Sequence, residues 1–521
     1  MQYSELSYFL FLPLVMLLYT FTPKKFRYIT LLVASLFFFY TLSGKLLIYV
    51  VYSTLIMYFA SLLIDHFNEL EDNINEEMPK EKKKALKLKY NKYKKITLVI
   101  SILLLLSTLL LTKYLNFFIT VINDVFKSGL SLTRILAPIG ISFYTFEVLS
   151  YLIDIYHKKY KANKNILKCA LYIVFFPTLM EGPIARYEQI KDSLFSGEKI
   201  NYTNMCFALQ RIVYGLGKKL IIADRLNPIV KMIFNNYSNY NGGVVLLGGI
   251  LYTIQLYMDF SGIMDIVIGS GQIFNIKLPE NFKQPFFSKN ISDFWSRWHI
   301  TLGTFFKDYI FYPISLSRIS RNITKTLRKK LGSHFGPLVS GSIALLAVWL
   351  SNGLWHGAGY QYILFGMYHF VLILLGNICM PLINRFYDKT KINKESVFVK
   401  CFSILRTTIL VIFGEIIFRS NSVKDALSMI KKIFTNFSFD IVKPLNKIGL
   451  DIYDMIIILV TLIVIVVISI LKEKNINVRE IISKKPIYIR WIIYYILILY
   501  VLIFGAYLGP YIPVDPMYAN F

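Results

Sequence analysis

The stretch "YDMIIILVTLIVIVVISIL", Tyr453–Leu471, decides the fold class of this chain. Nearly all of its side chains are apolar, and a helix of about 20 such residues crosses the hydrocarbon core of a bilayer. A second run, "ITLVISILLLLSTLLL" (Ile96–Leu111), has the same character. Because backbone groups in lipid must be hydrogen-bonded within a helix or a closed barrel, these runs predict membrane-spanning helices.

The composition extends this prediction to the whole chain. Of the 521 residues, 55% are hydrophobic and 17% are charged, and the mean hydropathy is +0.52. Apolar runs that could enter a bilayer recur roughly eleven to thirteen times. We therefore predict an all-α polytopic membrane protein that forms one domain over residues 1–521.

The net charge of +27 lies between the apolar runs. The most basic segments are Thr22–Arg27, Pro79–Lys95, His157–Lys168, Ser317–Lys330 and Leu471–Arg490. Positively charged loops face the cytoplasm, so we predict a cell-membrane protein whose N- and C-termini are both extracytoplasmic. Segment 65–95 is predicted to be a charged cytoplasmic loop or helical pair. The charge indicates contact with anionic membrane lipid and argues against nucleic acid as a partner.

The four cysteines are scattered and have no CxxC spacing. They are Cys169, Cys206, Cys379 and Cys401, and all lie in or near apolar segments. This pattern predicts neither a metal site nor a disulfide framework. We expect small, buried, apolar-like side chains at these positions.

His356 is the first candidate for chemistry. It lies in "SNGLWHGAG" (Ser351–Gly359), where glycines allow close helix packing inside an otherwise apolar stretch. Asn352 precedes it by four residues, so both side chains share one helix face. Burial favours neutral imidazole, which can take a proton from a hydroxyl or thiol. The plain alternative is a hydrogen-bonded interhelical histidine, which is our expectation for His369 in "GMYHF".

A second aromatic cluster occurs in "NFKQPFFSKNISDFWSRWHITLGTFFKDYIFYPI", Asn281–Ile314. Trp295, His299, Leu302, Phe306 and Tyr309 follow 4-3-4-3 spacing, which predicts one stripe on one amphipathic helix. We expect Asn290 or Ser292 to cap this helix, and Pro313 to mark its end. Asp293 and Arg297 are spaced for an ion pair within it.

Three acidic residues interrupt other apolar segments. Asp259 and Asp265 lie in "TIQLYMDFSGIMDIVIG", and Glu181 lies in "FFPTLMEGPIARY". We expect these carboxylates to be paired with cations, Glu181 with Arg186 for example, because an unpaired buried charge is costly. The Gly182-Pro183 pair is expected to interrupt a helix.

Seven stretches together resemble the membrane-bound O-acyltransferases, in particular the bacterial branch that O-acetylates alginate and peptidoglycan. They are "APIGISFYTFEVLSYLIDIY", "FFPTLMEGPIARY", "GLGKKLIIADRL", "QLYMDFSGIMDIVIG", "LPENFKQPF", "FWSRWHITLGTFFKDYIFYPI" and "LWHGAGYQYILFGMYH". The resemblance extends from about Pro138 to the end of the chain. It implies a helical fold with a central tunnel, a catalytic core over residues 138–383, and C-terminal helices with an extracytoplasmic tail over residues 400–521.

The resemblance also implies roles for individual residues. The histidine of the WHG segment, His356, is the catalytic residue, and the histidine of the RWHI segment, His299, is the second signature residue. Candidates that line the tunnel or orient the substrate are Asn352, Trp355, Trp298 and Trp295. The chain ends "PMYANF", which is similar to an aromatic FxYxxF tail with Pro516 in place of the first Phe. Tyr518 is therefore a candidate acyl relay.

The resemblance implies no bound cofactor and no metal. The donor would be a cytoplasmic thioester, either acyl-CoA, with acetyl-CoA as the first candidate, or an acylated carrier protein. The acyl group would pass through the tunnel to an extracytoplasmic hydroxyl of a cell-wall or secreted polysaccharide. The expected partner is an extracytoplasmic acyltransferase of the SGNH hydrolase-like type. Two alternatives stay open from the sequence, namely D-alanyl transfer to teichoic acid by the same fold, and a non-enzymatic transporter or flippase.

Overall fold

The computed structural model describes residues 1–440, 451–507, 511, 513 and 514. Over these residues the chain is helical almost throughout, and the β pairing there consists of one isolated bridge between Phe282 and Trp298. The predicted all-α class is confirmed. Tyr518 lies outside the described residues.

Eight helical stretches in the described part of the chain are long and apolar enough to cross a membrane. They are Lys24–Asp72, Lys80–Phe126, Gly242–Ile273, Arg318–His356, Tyr360–Thr390, Val397–Arg419, Ile452–Glu473 and Ile487–Phe504. The first two each contain two successive helices, and Leu6–Phe21 is a shorter apolar helix. The chain is therefore a multi-pass membrane protein.

Contacts divide the described chain into two compact units. The first contains residues Met1–Leu209 and Ile266–Pro279. Its complete helices are α1 (Leu6–Phe21), α2 (Arg27–Ser43), α3 (Leu47–Asp72), α4 (Lys80–Leu109), α5 (Leu115–Phe126), α6 (Ile141–Tyr156), α7 (Ile166–Val174) and α8 (Tyr187–Leu194). The predicted interruption at Gly182-Pro183 is confirmed, because helix ends at Val174 and resumes at Tyr187.

Buried hydroxyl groups tie distant parts of the first unit together. Tyr3 donates to the carbonyl of Phe176 at 2.8 Å, and Tyr8 donates to Ser270 Oγ at 2.8 Å. Burial makes such bonds costly to lose, because an unsatisfied polar group has no water to replace its partner. They fix α1 against chain segments far away in the sequence.

The charged segment 65–95 forms the predicted helical pair rather than an open loop. The C-terminal part of α3 and the N-terminal part of α4 carry it. Lys94 is 3% exposed and donates to Glu71 at 2.6 Å and to Asn68 at 3.0 Å. The pairing of the lysine with a carboxylate and an amide offsets the cost of its burial.

The second unit contains residues Gln210–Asp265 and the described residues from Glu280 onward. The helices α9 (Tyr202–Leu216) and α11 (Gly242–Ile273) are divided between the two units. The remaining helices are α10 (Asp224–Asn235), α12 (Ile291–Arg297), α13 (Ile300–Phe306), α14 (Tyr312–Ser315), α15 (Arg318–His356), α16 (Tyr360–Thr390), α17 (Val397–Arg419), α18 (Val423–Thr435), α19 (Ile452–Glu473), α20 (Val478–Ser483) and α21 (Ile487–Phe504).

The expectation of one continuous helix through Trp295 and Tyr309 is wrong. Helix α12 ends at Arg297, and His299 adopts the left-handed conformation with φ 47° and ψ 52° before α13 begins. Asn281 causes this break, since its carbonyl accepts from Ile300 N at 3.0 Å and its side chain accepts from Thr301 N at 3.1 Å. A 4-3-4-3 pattern cannot detect such a turn, because a partner distant in sequence imposes it.

Three smaller expectations also need correction. The basic segment Ser317–Lys330 is helical from Arg318 onward and not a loop, with Ser317 as the N-cap and an interruption at Gly332 (φ 82°). Pro313 lies in the first turn of α14 and does not end a helix. Cys401 is exposed on α17, unlike the buried Cys169, so it is not a core residue. The cap at Asn290 is confirmed.

Candidate active site

His356 is the last residue of α15, and it is 5% exposed. Asn352 lies one turn earlier and is 6% exposed, so the predicted polar pair is buried on one helix face. Glycines bring α15 close to α16. A Cβ on Gly353 would lie 2.5 Å from the carbonyl oxygen of Tyr362, and a Cβ on Gly366 would lie 2.4 Å from that of Trp349. The glycines near His356 therefore permit backbone contact between these two helices.

Aromatic rings surround the His356 imidazole. The ring centroids of Trp355, Phe418 and Phe365 lie 5.0, 5.1 and 5.9 Å from it, all at steep interplanar angles. Edge-to-face contacts of this kind are favourable and exclude water. The His356 imidazole therefore lies in a buried, aromatic environment.

His299 is joined to His356 through Trp355. The ring centroid of Trp355 lies 5.4 Å from that of His299, and the ring centroid of Phe260, on α11, lies 4.9 Å from it. His299 is 2% exposed, and burial lowers its pKa to about 3. The side chain is therefore neutral at physiological pH.

The partner of His299 determines which of its nitrogens is basic. Asn281 Oδ1 lies 3.2 Å from His299 Nδ1 and also accepts from Thr301 N and Thr301 Oγ1. Since Oδ1 is only an acceptor, Nδ1 carries the proton and donates it. The Nε2 atom then has the lone pair and can accept a hydrogen bond.

The predicted tryptophans occupy two different places. Trp295 donates from Nε1 to His369 Nδ1 at 3.3 Å and contacts Phe365, which also contacts His356. Trp298 instead packs on Phe294 at 5.5 Å with nearly parallel rings, and against Phe282 at 5.1 Å. The structure thus connects Trp355 and Trp295 with His356 and places Trp298 in a neighbouring aromatic cluster.

No motif in the sequence connects His369 with His356. It is 0% exposed, stacks on Trp349 at 5.4 Å and contacts Phe365 at 4.7 Å. A Cβ on Gly414 of α17 would lie 2.7 Å from its Nε2 atom. The available signal was the i,i+4 spacing of Phe365 and His369, which puts both on the face of α16 that packs against α15.

The buried aspartates are paired with cations, as expected. Asp265 accepts from Arg211 at 2.8 Å and from Lys218 at 2.7 Å, and Asp259 lies 2.7 Å from Lys219. The ion pair between Asp293 and Arg297 is also present at 2.9 Å. Among the residues that the structure describes, no group of three or more His, Cys, Asp or Glu side chains could hold a metal ion.

Comparisons with known proteins agree with the fold. The model of the membrane-bound O-acyltransferase family matches residues 163–327, which include His299. The probable alginate O-acetylase AlgI of Pseudomonas aeruginosa is 30% identical over 436 residues, covering 83% of this chain and 74% of that protein. The peptidoglycan O-acetyltransferase of Helicobacter pylori is 29% identical over 429 residues, covering 77% and 72%.

A third relative acts on another polymer. The teichoic acid D-alanyltransferase of Bacillus subtilis is 29% identical over 289 residues, covering 55% of this chain and 69% of that protein. The fold and these similarities define a multi-pass membrane enzyme that transfers acyl groups to hydroxyls. The chain belongs to the membrane-bound O-acyltransferase family, in the acetylation branch that the sequence motifs predicted.

Proposed function

We propose that this enzyme moves an acyl group from a cytoplasmic thioester to an extracytoplasmic hydroxyl of a cell-wall or secreted polysaccharide. Acetyl is the first candidate for the acyl group. The observation that carries the proposal is the buried pair of histidines, His299 and His356, that share Trp355 as a common neighbour. The relatives that modify alginate and peptidoglycan support the acetyl group and the polymer acceptor.

His356 is the general base in this proposal. Its imidazole takes the proton of the acceptor hydroxyl, and the oxygen attacks the thioester carbonyl carbon. The tetrahedral intermediate collapses as the C–S bond breaks, and the imidazolium returns the proton to the departing thiolate. The aromatic wall favours this role, because a dry environment keeps the imidazole uncharged between turnovers.

His299 and Asn352 orient the reacting groups. With Nδ1 donating to Asn281, His299 offers Nε2 as an acceptor, which suits the acceptor hydroxyl rather than the carbonyl oxygen. The side-chain NH₂ of Asn352, one turn before His356, is the candidate donor to the carbonyl oxygen. Trp295 and Trp355 contribute to the aromatic wall, and Trp298 supports it from the neighbouring cluster.

Donor and acceptor reach His356 from opposite faces of the membrane through a tunnel. The donor is acyl-CoA or an acylated carrier protein, and the basic groove lined by Arg321, Lys325, Arg328 and Lys329 is one candidate surface for its phosphates. On the outside, the acyl group passes to the polymer directly, or through Tyr518 and an SGNH-like partner protein. D-alanyl transfer to teichoic acid is the second candidate, favoured by the similarity to the Bacillus subtilis enzyme.

Mass spectrometry of the cell-wall and secreted glycans tests the proposal. Cells that carry His356→Ala in place of the wild type are expected to lose one ester species, whose mass identifies the acyl group and whose carrier identifies the acceptor. His334→Ala is the matched control, because His334 lies on the same helix but is exposed. An unchanged ester profile in the His356→Ala strain would refute the catalytic role. A lost D-alanyl ester would favour the second candidate.

A further inference from the structure

A polar cavity of about 40 Å³ lies within the second unit, beside His299. Its floor contains Asn281, which is 0% exposed, and Lys218, which is 5% exposed. Its rim contains Lys472, which is exposed, and Glu280, whose side chain is 59% exposed. The cavity therefore leads from the protein surface to a buried polar floor. We call it the basic cavity, because Arg211, Lys218 and Lys472 line it.

The floor of the basic cavity is in direct contact with the candidate active site. Asn281 Oδ1, which lines the cavity, lies 3.2 Å from His299 Nδ1. His299 in turn contacts Trp355, the neighbour of His356. A ligand that fills this cavity would place its inner end one side chain away from His299.

The cations of the basic cavity exceed its carboxylates. Asp265 pairs with Arg211 at 2.8 Å and with Lys218 at 2.7 Å. The other carboxylate, Glu280, binds Arg211 in bidentate fashion at 2.7 and 2.6 Å. Lys472 packs against the ring of Tyr214 at 5.2 Å and has no ion pair among the described residues. Three cations thus face two carboxylates, and the surplus charge lies at the rim.

The position of the rim agrees with an approach from the cytoplasm. Lys472 is the next-to-last residue of α19 and the first basic residue of the segment Leu471–Arg490, which the sequence predicts to be cytoplasmic. The groove that contains Arg321 and Lys329 shares no lining residue with the basic cavity. These are two separate candidate anion sites, and only the basic cavity includes a residue bonded to His299.

We propose that the basic cavity binds the phosphate of the donor thioester between Arg211 and Lys472, and that Glu280 occupies the phosphate's position on Arg211 in the absence of donor. This inference rests on the proposed function. The planar guanidinium presents the same bidentate pattern to a carboxylate and to a phosphate. Glu280 is exposed, so it can exchange its pair with Arg211 for water at little cost. Asp265 is buried and keeps Arg211 and Lys218 in place.

The shared chemistry is the phosphate of a 4′-phosphopantetheine arm, whether coenzyme A or a carrier protein supplies it. With the phosphate at the rim, the pantetheine end of the donor faces Lys218 and Asn281, on the side of the cavity nearest His299. The proposal predicts opposite effects of the two rim residues. Removal of Lys472 weakens donor binding, and removal of the Glu280 charge strengthens it.

The test compares two donors with the purified full-length enzyme in detergent, namely acetyl-CoA and S-acetyl-pantetheine, which lacks the phosphate. Lys472→Gln is expected to raise KM for acetyl-CoA about tenfold, as for the loss of one charge-assisted contact, with little change in kcat. Glu280→Gln is expected to lower the same KM about two- to fivefold. Neither variant is expected to alter KM for S-acetyl-pantetheine. Lys472→Arg should retain the wild-type value. Lys474→Gln is the matched control, because Lys474 is exposed and does not line the cavity, and Lys329→Gln tests the other groove.

The inference would be overturned if Lys472→Gln changed KM equally for both donors, or changed it for neither. It would also be overturned if Lys329→Gln, and not Lys472→Gln, raised KM for acetyl-CoA. An acylated carrier protein as a third donor distinguishes the two sources of the phosphate. A Lys472 effect on one phosphorylated donor alone identifies that donor as the source, and an effect on both shows that the cavity accepts either.

Equilibrium binding of unacylated coenzyme A and of 4′-phosphopantetheine separates this inference from the proposed function. Lys472-dependent binding without any turnover would refute the function only. No binding of either compound to the wild type would refute the phosphate site.

Discussion

The surroundings of His356 and the basic cavity lie in the same unit and are built from opposite kinds of side chain. Phe365, Phe418 and Trp355 enclose His356, whereas ion pairs and a surplus lysine line the cavity. His299 belongs to both, because it contacts Trp355 on one side and Asn281 on the other. A base must stay neutral and dry to accept a proton, whereas a phosphate requires cations. The proposed base and the proposed phosphate site thus lie in adjacent compartments, each with the surroundings that its chemistry requires.

The largest effect is expected at the aromatic compartment. His356→Ala should lower the rate of acyl transfer by about 10²- to 10⁴-fold, since it removes the proposed general base. Steady-state transfer from acetyl-CoA to an added hydroxyl acceptor measures this loss, with His334→Ala as the control that should remain near the wild type. Equal losses in both variants would show damage to α15 and not loss of a base.

A smaller loss is expected at the histidine shared by both compartments. His299→Ala should lower kcat by about 10- to 100-fold, because it removes one positioned hydrogen bond but leaves His356 in place. The measurement is the same transfer assay, followed by the assay of the double variant with His356→Ala. If the double variant is no slower than His356→Ala, the two histidines act in one step. If the double variant instead loses the product of the two single-variant losses in rate, the two histidines act independently.

The close contact of α15 with α16 predicts a stability difference between two glycines of one helix. Gly353→Ala should lower the free energy of unfolding by about 1–3 kcal/mol, because the new Cβ would lie 2.5 Å from a backbone oxygen of Tyr362. Gly341→Ala should be neutral or stabilising by up to about 1 kcal/mol, since nothing lies within 4 Å of its Cβ. Thermal unfolding in detergent compares the variants. A similar loss at both positions would refute close packing as the cause.

The weakest expected effect is a pH dependence that His299 contributes. Its pKa is lowered to about 3 in the folded protein by burial, from about 6.5 in the unfolded chain. The unfolded state therefore binds more protons below pH 6.5, so stability is complete above that pH and declines as the pH falls toward 3. Between pH 7.5 and 5.5 the loss should be about 1 kcal/mol. His299→Gln should remove this pH-dependent part of the stability. If the free energy of unfolding followed the same pH profile in the wild type and in His299→Gln, the prediction would be contradicted.

The sequence identified both central histidines but not the way in which they are held. Local motifs singled out His356 and His299, and the i,i+4 pair of Asn352 and His356 is present on α15. The prediction of one continuous helix through His299 was wrong, because hydrogen bonds to Asn281, 18 residues earlier, break the helix there. His369 was assigned to no cluster, since its neighbours come from α12, α15 and α17.

Some properties of this protein follow from its sequence alone. Long apolar runs determine helices that can cross a membrane, because lipid leaves no other way to satisfy the backbone, and local motifs determine the family. The left-handed turn at His299, the shared contact of Trp355 with two histidines, and the basic cavity assembled from α9, α11 and α19 were decided only by the tertiary structure. The physical reason is distance along the chain. Hydrogen bonds, ring contacts and ion pairs join residues that no local pattern relates.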